Sequence, residues 1–250
     1  MHLIHPLCGW TISGAPSPAN RPGRPTLGPV TDSAAPISAL DAMSAHIIAT
    51  DVADDALAGA RDDAAEFGLA TPDAVAGGVL TTIAALASAR RPDGPAAVAA
   101  TPAVGVVGLH LFAGMPDNAV LTCIDPEIEH QKLARDAFRS AGIGASRHRF
   151  LPSRPLDVLG RLAPGAYDLI YADVAPAEIA LFRERAWPLL SDGGVLIFAG
   201  VLLDGTIADE SRRDRDTVAA REAEQHLLER DDALATRMPI GAGAIALIKK

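Results

Sequence analysis

From residue 96 onward the chain alternates short apolar runs with amphipathic stretches. The runs are "AAVAA" (96–100), "AVLTCI" (119–124), "HRFLP" (148–152), "YDLIYA" (167–172) and "GVLIFA" (194–199). Between them, segments such as "PEIEHQKLARDAFRSAG" and "APAEIALFRERAWPLL" repeat apolar residues at spacings of three and four, the period of a helix with one buried face. Strands separated by crossover helices predict a mainly parallel sheet covered on both faces. A last helix is expected around residues 215–230. Beyond it, "LATRMPI" and "AGAIALIKK" flank a glycine-containing turn with no room for a helix, which predicts an antiparallel hairpin at the sheet edge.

Upstream, "DDALAGARDDAAEFGL" and the residues before it, from Ser44 to Leu69, read as a short acidic pair of helices. "TPDAVAGGVLTTIAALASARR" predicts a helix over about 72–90, with Thr71 as cap, Pro72 in the first turn and Arg90 and Arg91 complementing the dipole at its end. Residues 1–37 are dense in Pro, Gly and Ser without a sustained period, the pattern of a disordered tail. The expected organisation is therefore a tail followed by one α/β domain over 38–250, with N-terminal helices at 44–90 and a Rossmann-like core at 95–250.

Composition narrows the function. A formal net charge of −9 argues against a sequence-independent nucleic-acid binder, since neutralising phosphates needs clustered Lys and Arg, and here bases alternate with acids as in "SRRDRD". Two cysteines, Cys8 and Cys123, form neither a disulfide framework nor a spaced zinc set. No apolar run approaches a membrane span, so a cytoplasmic protein with no membrane partner is expected.

The candidate chemistry lies where the first strand hands over to a helix, in "ATPAVGVVG" (100–108), the place at which an open parallel sheet presents a ligand site. Twenty residues beyond Gly105 the second strand ends in Asp125, where a carboxylate can accept hydrogen bonds from both hydroxyls of a ribose. The same residue also suits capping the following helix, with Pro126 at its first position.

Over nearly the whole chain from about residue 44, "AVLTCIDPEIEHQKLARDAFRSAGI", "YDLIYADVAP", "LLSDGGVLIFAGVLLDGTIAD", "TVAAREAEQHLLERDD" and "MPIGAGAIALIKK" occur in an order that resembles the S-adenosylmethionine-dependent O-methyltransferases of the catechol and caffeoyl-CoA type. Within that family the chain is most similar to a branch of small actinobacterial methyltransferases. The resemblance implies a class I methyltransferase fold: a seven-stranded, mainly parallel sheet with an antiparallel C-terminal hairpin, helices on both faces, S-adenosylmethionine at the end of the first strand, and a homodimer. It implies that Asp125 holds the cofactor ribose, with Pro126 beside it. It also implies that Thr101, Gly105 and Val107 lie along the cofactor loop and that Ala70, before Thr71 and Pro72, lies by the methionine end.

The chain departs from the family pattern twice. The first motif, an acidic residue, an aliphatic residue and then G-x-G-x-G, is replaced by Ala99, Ala100, Thr101, Pro102, Ala103, Val104 and Gly105. Ala103 adds a Cβ where backbone should approach the ligand, and Pro102 removes an N–H. Secondly, the Asp-Asn pair that completes a divalent-cation site in many members is replaced by Ala199 and Gly200, although Asp173 keeps the position at the end of the fourth strand. No metal is therefore expected, and Asp173 is left to face the methyl acceptor as a candidate base or to cap the helix beginning near Pro176. His110, His148, His226 and Trp187 are expected in structural roles, and Asp204 and Asp209 as surface acids near the mouth of the site.

Three functions follow. The leading expectation is a metal-independent O-methyltransferase acting on a small-molecule acceptor. The alternative is a catalytically degenerate member of the family kept as a dimeric binding or regulatory scaffold. A nicotinamide-dependent oxidoreductase is the third, but it lacks G-x-G-x-x-G and fits the terminal hairpin badly.

Overall fold

The computed structural model describes residues 38–250; the tail expected over 1–37 lies outside the described residues. Seven strands form one sheet in the order β3-β2-β1-β4-β5-β7-β6. The parallel strands are β1 (Ala96–Ala100), β2 (Val120–Ile124), β3 (His148–Leu151), β4 (Tyr167–Ala172) and β5 (Leu190–Phe198). The hairpin of β6 (Ala233–Met238) and β7 (Ala244–Lys249) adds antiparallel to β5. This is the strand arrangement that the resemblance implies, with the strand order reversing beside β1. Ala39–Lys250 form one compact unit.

The described residues hold eight α-helices, α1 (Ala39–Thr50), α2 (Asp55–Glu66), α3 (Ala74–Ser88), α4 (Val104–Gly114), α5 (Ile128–Ser140), the single turn α6 (Pro155–Val158), α7 (Ile179–Ala186) and α8 (Arg215–Leu228); α1 buries no residue and lies against α3. Side chains alternate across β4, which is buried on both faces, and so they divide between two cores. Leu169 and Tyr171 join residues of α2, α3, α4 and α5 on one face. Ile170 and Ala172 join Phe182 of α7 and Leu227 of α8 on the other.

Two local expectations change. The N-cap of α3 is Asp73, not Thr71; its carboxylate accepts the Ala76 N–H at 2.8 Å, and Pro72 stands outside the helix. Arg90 and Arg91 are not dipole partners of α3. Arg90 donates to the Asp192 carbonyl, while Arg91 donates to the Gly165 and Ala166 carbonyls and lies 3.6 Å from the buried Asp168. They tie the base of α3 to the loops around β4 and β5.

Candidate active site

The carboxyl ends of β1, β2, β4 and β5 meet at the reversal of strand order, where ligands of open parallel sheets bind. Backbone ladder bonds run on just past the strands: the Asp173 N–H donates to the Ala100 carbonyl and the Ala199 N–H to the Ala172 carbonyl, each at 2.9 Å. These bonds fix Thr101, Asp173 and Ala199 side by side. Thr101 is buried, donates its hydroxyl to Asp173 Oδ2 at 3.4 Å and accepts the Ala103 N–H at 3.2 Å. Burial raises the Asp173 pKa, and the Thr101 hydrogen bond opposes that rise.

Asp173 does not cap the next helix. That segment begins with a turn at Pro176 after Ala175, and no side chain caps it. Asp173 instead stands between two spaces. An outer cleft of about 430 Å³ is bordered by Pro102, Val174, Ile179, Gly200 and Asp204. An inner cavity of about 110 Å³ runs under it between β4, β5 and α3, with Ala70, Thr71 and Pro72 at its rim. Asp173, Ala199, Gly200 and Ala242 belong to both, so the two spaces adjoin.

The β2 side is different. Asp125 is 5% exposed, and its Oδ2 lies 2.7 Å from His130 Nδ1, while Gln131 Nε2 donates to its carbonyl. Burial raises the Asp125 pKa against the lowering effect of His130. The capping expectation fails because α5 starts at Ile128 behind Glu127, leaving Pro126 outside the helix and Asp125 turned inward to His130.

The nearest space, lined by Pro102, Ala103, Gly105 and His130 against α2, measures about 10 Å³, roughly one water. Gly105 faces α5: a Cβ built on it would meet Ala134 Cα at 3.4 Å. Val107 is buried in the α4 core. The space beside Asp125 is far smaller than the roughly 300 Å³ or more of ordinary small-molecule sites.

Sequence reasoning missed three features. Tyr171, two residues before Asp173 on the same face of β4, lines the inner cavity; the strand's period of two was the available signal. His130, the partner of Asp125, lies only five residues on in the first turn of α5, a local signal that was available. Thr101 as the partner of Asp173 depends on tertiary approach, and no local pattern announces it.

The other polar candidates are accounted for. His110 is buried in α4 against Gly77 with Nε2 unpartnered, and burial and Arg61 lower its pKa. His148 packs against Phe138 and Phe150, His226 lies 3.7 Å from Glu184, and Trp187 is stacked by Arg183. Asp204 borders the outer cleft with φ of 53°, a left-handed conformation uncommon outside glycine. Asp209 accepts from the Ser211 N–H and hydroxyl, which holds its pKa low. No three His, Cys, Asp or Glu side chains among the described residues gather as a metal-binding group.

A model of the O-methyltransferase family matches residues 104–250. The "Probable O-methyltransferase" of Mycobacterium tuberculosis is 34% identical over 238 residues, spanning 95% of this chain and all of that protein. A Corynebacterium glutamicum protein of known crystal structure superposes with a TM-score of 0.81 at 47% identity, over 85% of this chain and 97% of that one. The O-methyltransferase TomG of Streptomyces achromogenes, solved in complex with S-adenosylmethionine, shares the fold at 24% identity and a TM-score of 0.70, over 84% of this chain and 96% of that one. On this evidence of sequence and fold, the chain belongs to the O-methyltransferase family.

Proposed function

We propose that the chain transfers a methyl group from S-adenosylmethionine to a hydroxyl of a small molecule held over Asp173, without a divalent cation. The observation that carries this reading is the place of Asp173, a half-buried carboxylate of raised pKa between an open cleft and an apolar cavity. Raising the pKa makes the carboxylate a better proton acceptor from a hydroxyl. Thr101 orients it by donating to Oδ2, which leaves Oδ1 to the acceptor. Apolar side chains at Ala199, Ala242 and Ile179 line the cleft beside the carboxylate. When bound, the sulfonium supplies an electrophilic methyl group, and alignment does most of the catalytic work. Ala199 and Gly200 carry no side-chain oxygen to offer a cation.

Donor binding requires the Pro102–Ala103 segment and α2 to part, because together they close the space beside Asp125. Small residues on the packed face of α2, Ala56, Ala60 and Ala64, favour that movement, since each buries little surface. Ala70 is then the residue nearest the methionine end and Asp125 the holder of the ribose, in a homodimeric, cytoplasmic enzyme. A second reading rests on the same closed crevice: a degenerate scaffold that keeps the cleft alone and binds small molecules without transferring a methyl group.

Isothermal titration with S-adenosylmethionine and S-adenosylhomocysteine separates the two. Saturable heat that disappears in Asp125→Ala is the expected result. Absence of heat and of thermal stabilisation up to millimolar ligand overturns the enzymatic reading in favour of the scaffold.

A further inference from the structure

The inner cavity is walled mainly by hydrocarbon from Ala76, Leu80, Ile197 and Ile240. Its volume of about 110 Å³ is somewhat below that of an apolar cavity known to bind benzene, about 150 Å³, so it suits a single small ring projecting partly into the outer cleft. Two polar side chains interrupt the apolar wall on the strand side, Asp173 and Tyr171. They share one face of β4 because they are two residues apart.

Tyr171 is 5% exposed, and its hydroxyl has no hydrogen-bond partner among the described residues. A buried tyrosine hydroxyl ordinarily finds one. Nor is this oxygen sealed into the protein: the sealed, unpartnered polar atoms among the described residues belong to Arg61, His110, Arg183 and His226. The hydroxyl therefore opens onto the cavity. Burial and the neighbouring Asp173 charge both raise its pKa, so it keeps its proton and can only be satisfied by a ligand oxygen or nitrogen or by water.

We propose that Tyr171 determines acceptor specificity: its O–H donates to the oxygen of a small, uncharged, monohydroxylated ring whose hydrocarbon body fills the inner cavity, while Asp173 accepts that hydroxyl's proton. The pairing needs no second hydroxyl on the ligand and no cation to hold one. An anionic ring is disfavoured because its charge would face Asp173. The inference rests on the reading of Asp173 as the acceptor side of the site.

The test uses the full chain, with phenol and toluene as probes and no methyl donor, by titration calorimetry or ligand-observed NMR. Phenol is expected to bind more tightly than toluene. Tyr171→Phe should weaken phenol about fivefold to tenfold and leave toluene within about twofold, since a neutral hydrogen bond contributes on that scale. Retained toluene binding shows that the variant is folded and the cavity intact. Benzoate should bind poorly to the wild type and better to Asp173→Asn. Equal phenol affinity in wild type and Tyr171→Phe, or no binding of either probe to the wild type, overturns the proposal. Because no donor is present, a failed S-adenosylmethionine titration alongside a Tyr171-dependent phenol signal rejects the enzymatic reading and leaves Tyr171 as a determinant of ring binding alone. A working titration with a Tyr171-independent phenol signal rejects this inference and leaves the enzymatic reading standing.

Discussion

Two stretches of the same sheet edge end in opposite states. At β4 and β5 the chain leaves an open cleft and an apolar cavity around Asp173. At β1 and β2, only a few residues away, Thr101, Pro102 and Ala103 stand in the loop and Asp125 has turned to His130. The difference lies in how the polar groups are satisfied. Asp173 retains an oxygen without a protein partner and Tyr171 an unpaired hydroxyl, whereas Asp125 has a charge-assisted bond at 2.7 Å and no comparable space beside it. An unpaired polar group beside a cavity is poised for a ligand; a paired one without space must first exchange its partner and gain room.

The sharpest way to break this contrast is to neutralise the carboxylate on the open side. Asp173→Asn keeps an oxygen to accept from Thr101 but cannot take a proton. Methyl transfer to a bound phenol should fall by about 10²-fold or more, as for loss of a general base. The check is methylated product by mass spectrometry at saturating donor. In the wild type the rate should rise as pH increases through the Asp173 pKa, which lies above the ordinary 3.8, and be lost on acidification as the carboxylate protonates.

Glycines supply the next contrast. Gly105 and Gly108 look in the sequence like remnants of a nucleotide loop, yet both sit on the α4 face that meets α5. A Cβ on Gly108 would come within 2.4 Å of Phe138 Cζ, while one on Gly105 would stop 3.4 Å from Ala134 Cα. Gly108→Ala should therefore cost about 1–3 kcal/mol through overpacking. Gly105→Ala should stay within about 1 kcal/mol, because a better helix former offsets the tight approach. Urea midpoints of the two variants measure the difference. A large loss at Gly105 would mean that α4 and α5 are packed more closely there.

A gain of function sharpens the comparison from the closed side. Replacing Pro102 and Ala103 together by glycine removes the ring and the Cβ that border the 10 Å³ space. The affinity for S-adenosylhomocysteine should rise about tenfold, roughly one hydrogen bond recovered with the restored N–H. No change would place the obstruction in α2 rather than in the loop.

How far the sequence could foresee this follows from the range of the interactions. The strands and crossover helices were legible because period and length are local properties; β1 and β4 match their apolar runs residue for residue. The hairpin was legible because the space between its strands excludes a helix. Asp125 and Asp173 were recognisable as strand-terminal acids, but each suited capping equally well in sequence. The outcomes differ in range: at Asp125 a local partner, His130 in the first turn of α5, takes the carboxylate, while at Asp173 tertiary approach brings Thr101. The glycines misled for the same reason: a residue without a Cβ serves helix packing and ligand approach alike. Arg91 is similar, its position at the end of α3 matching a dipole partner until the loop of Gly165 and Ala166 takes its guanidinium.

The smallest expected effect concerns stability and reuses Asp173→Asn. Burial raises the folded-state pKa of Asp173 above its unfolded value, so the ionised side chain opposes folding at neutral pH. The sign follows from proton binding: between the two pKa values the folded state holds more protons, and stability falls as pH rises through that window. Below the unfolded value both states are protonated and the penalty vanishes. Asp173→Asn should accordingly have the higher urea midpoint at pH 7, with the two proteins converging as pH drops below about 4. A variant that is less stable than the wild type at pH 7 would mean that the carboxylate is held by more than the Thr101 hydroxyl, and that the open side is more fully satisfied than its geometry indicates. The expected pairing, a more stable protein that no longer transfers methyl groups, is what a strained functional carboxylate produces and a structural one does not.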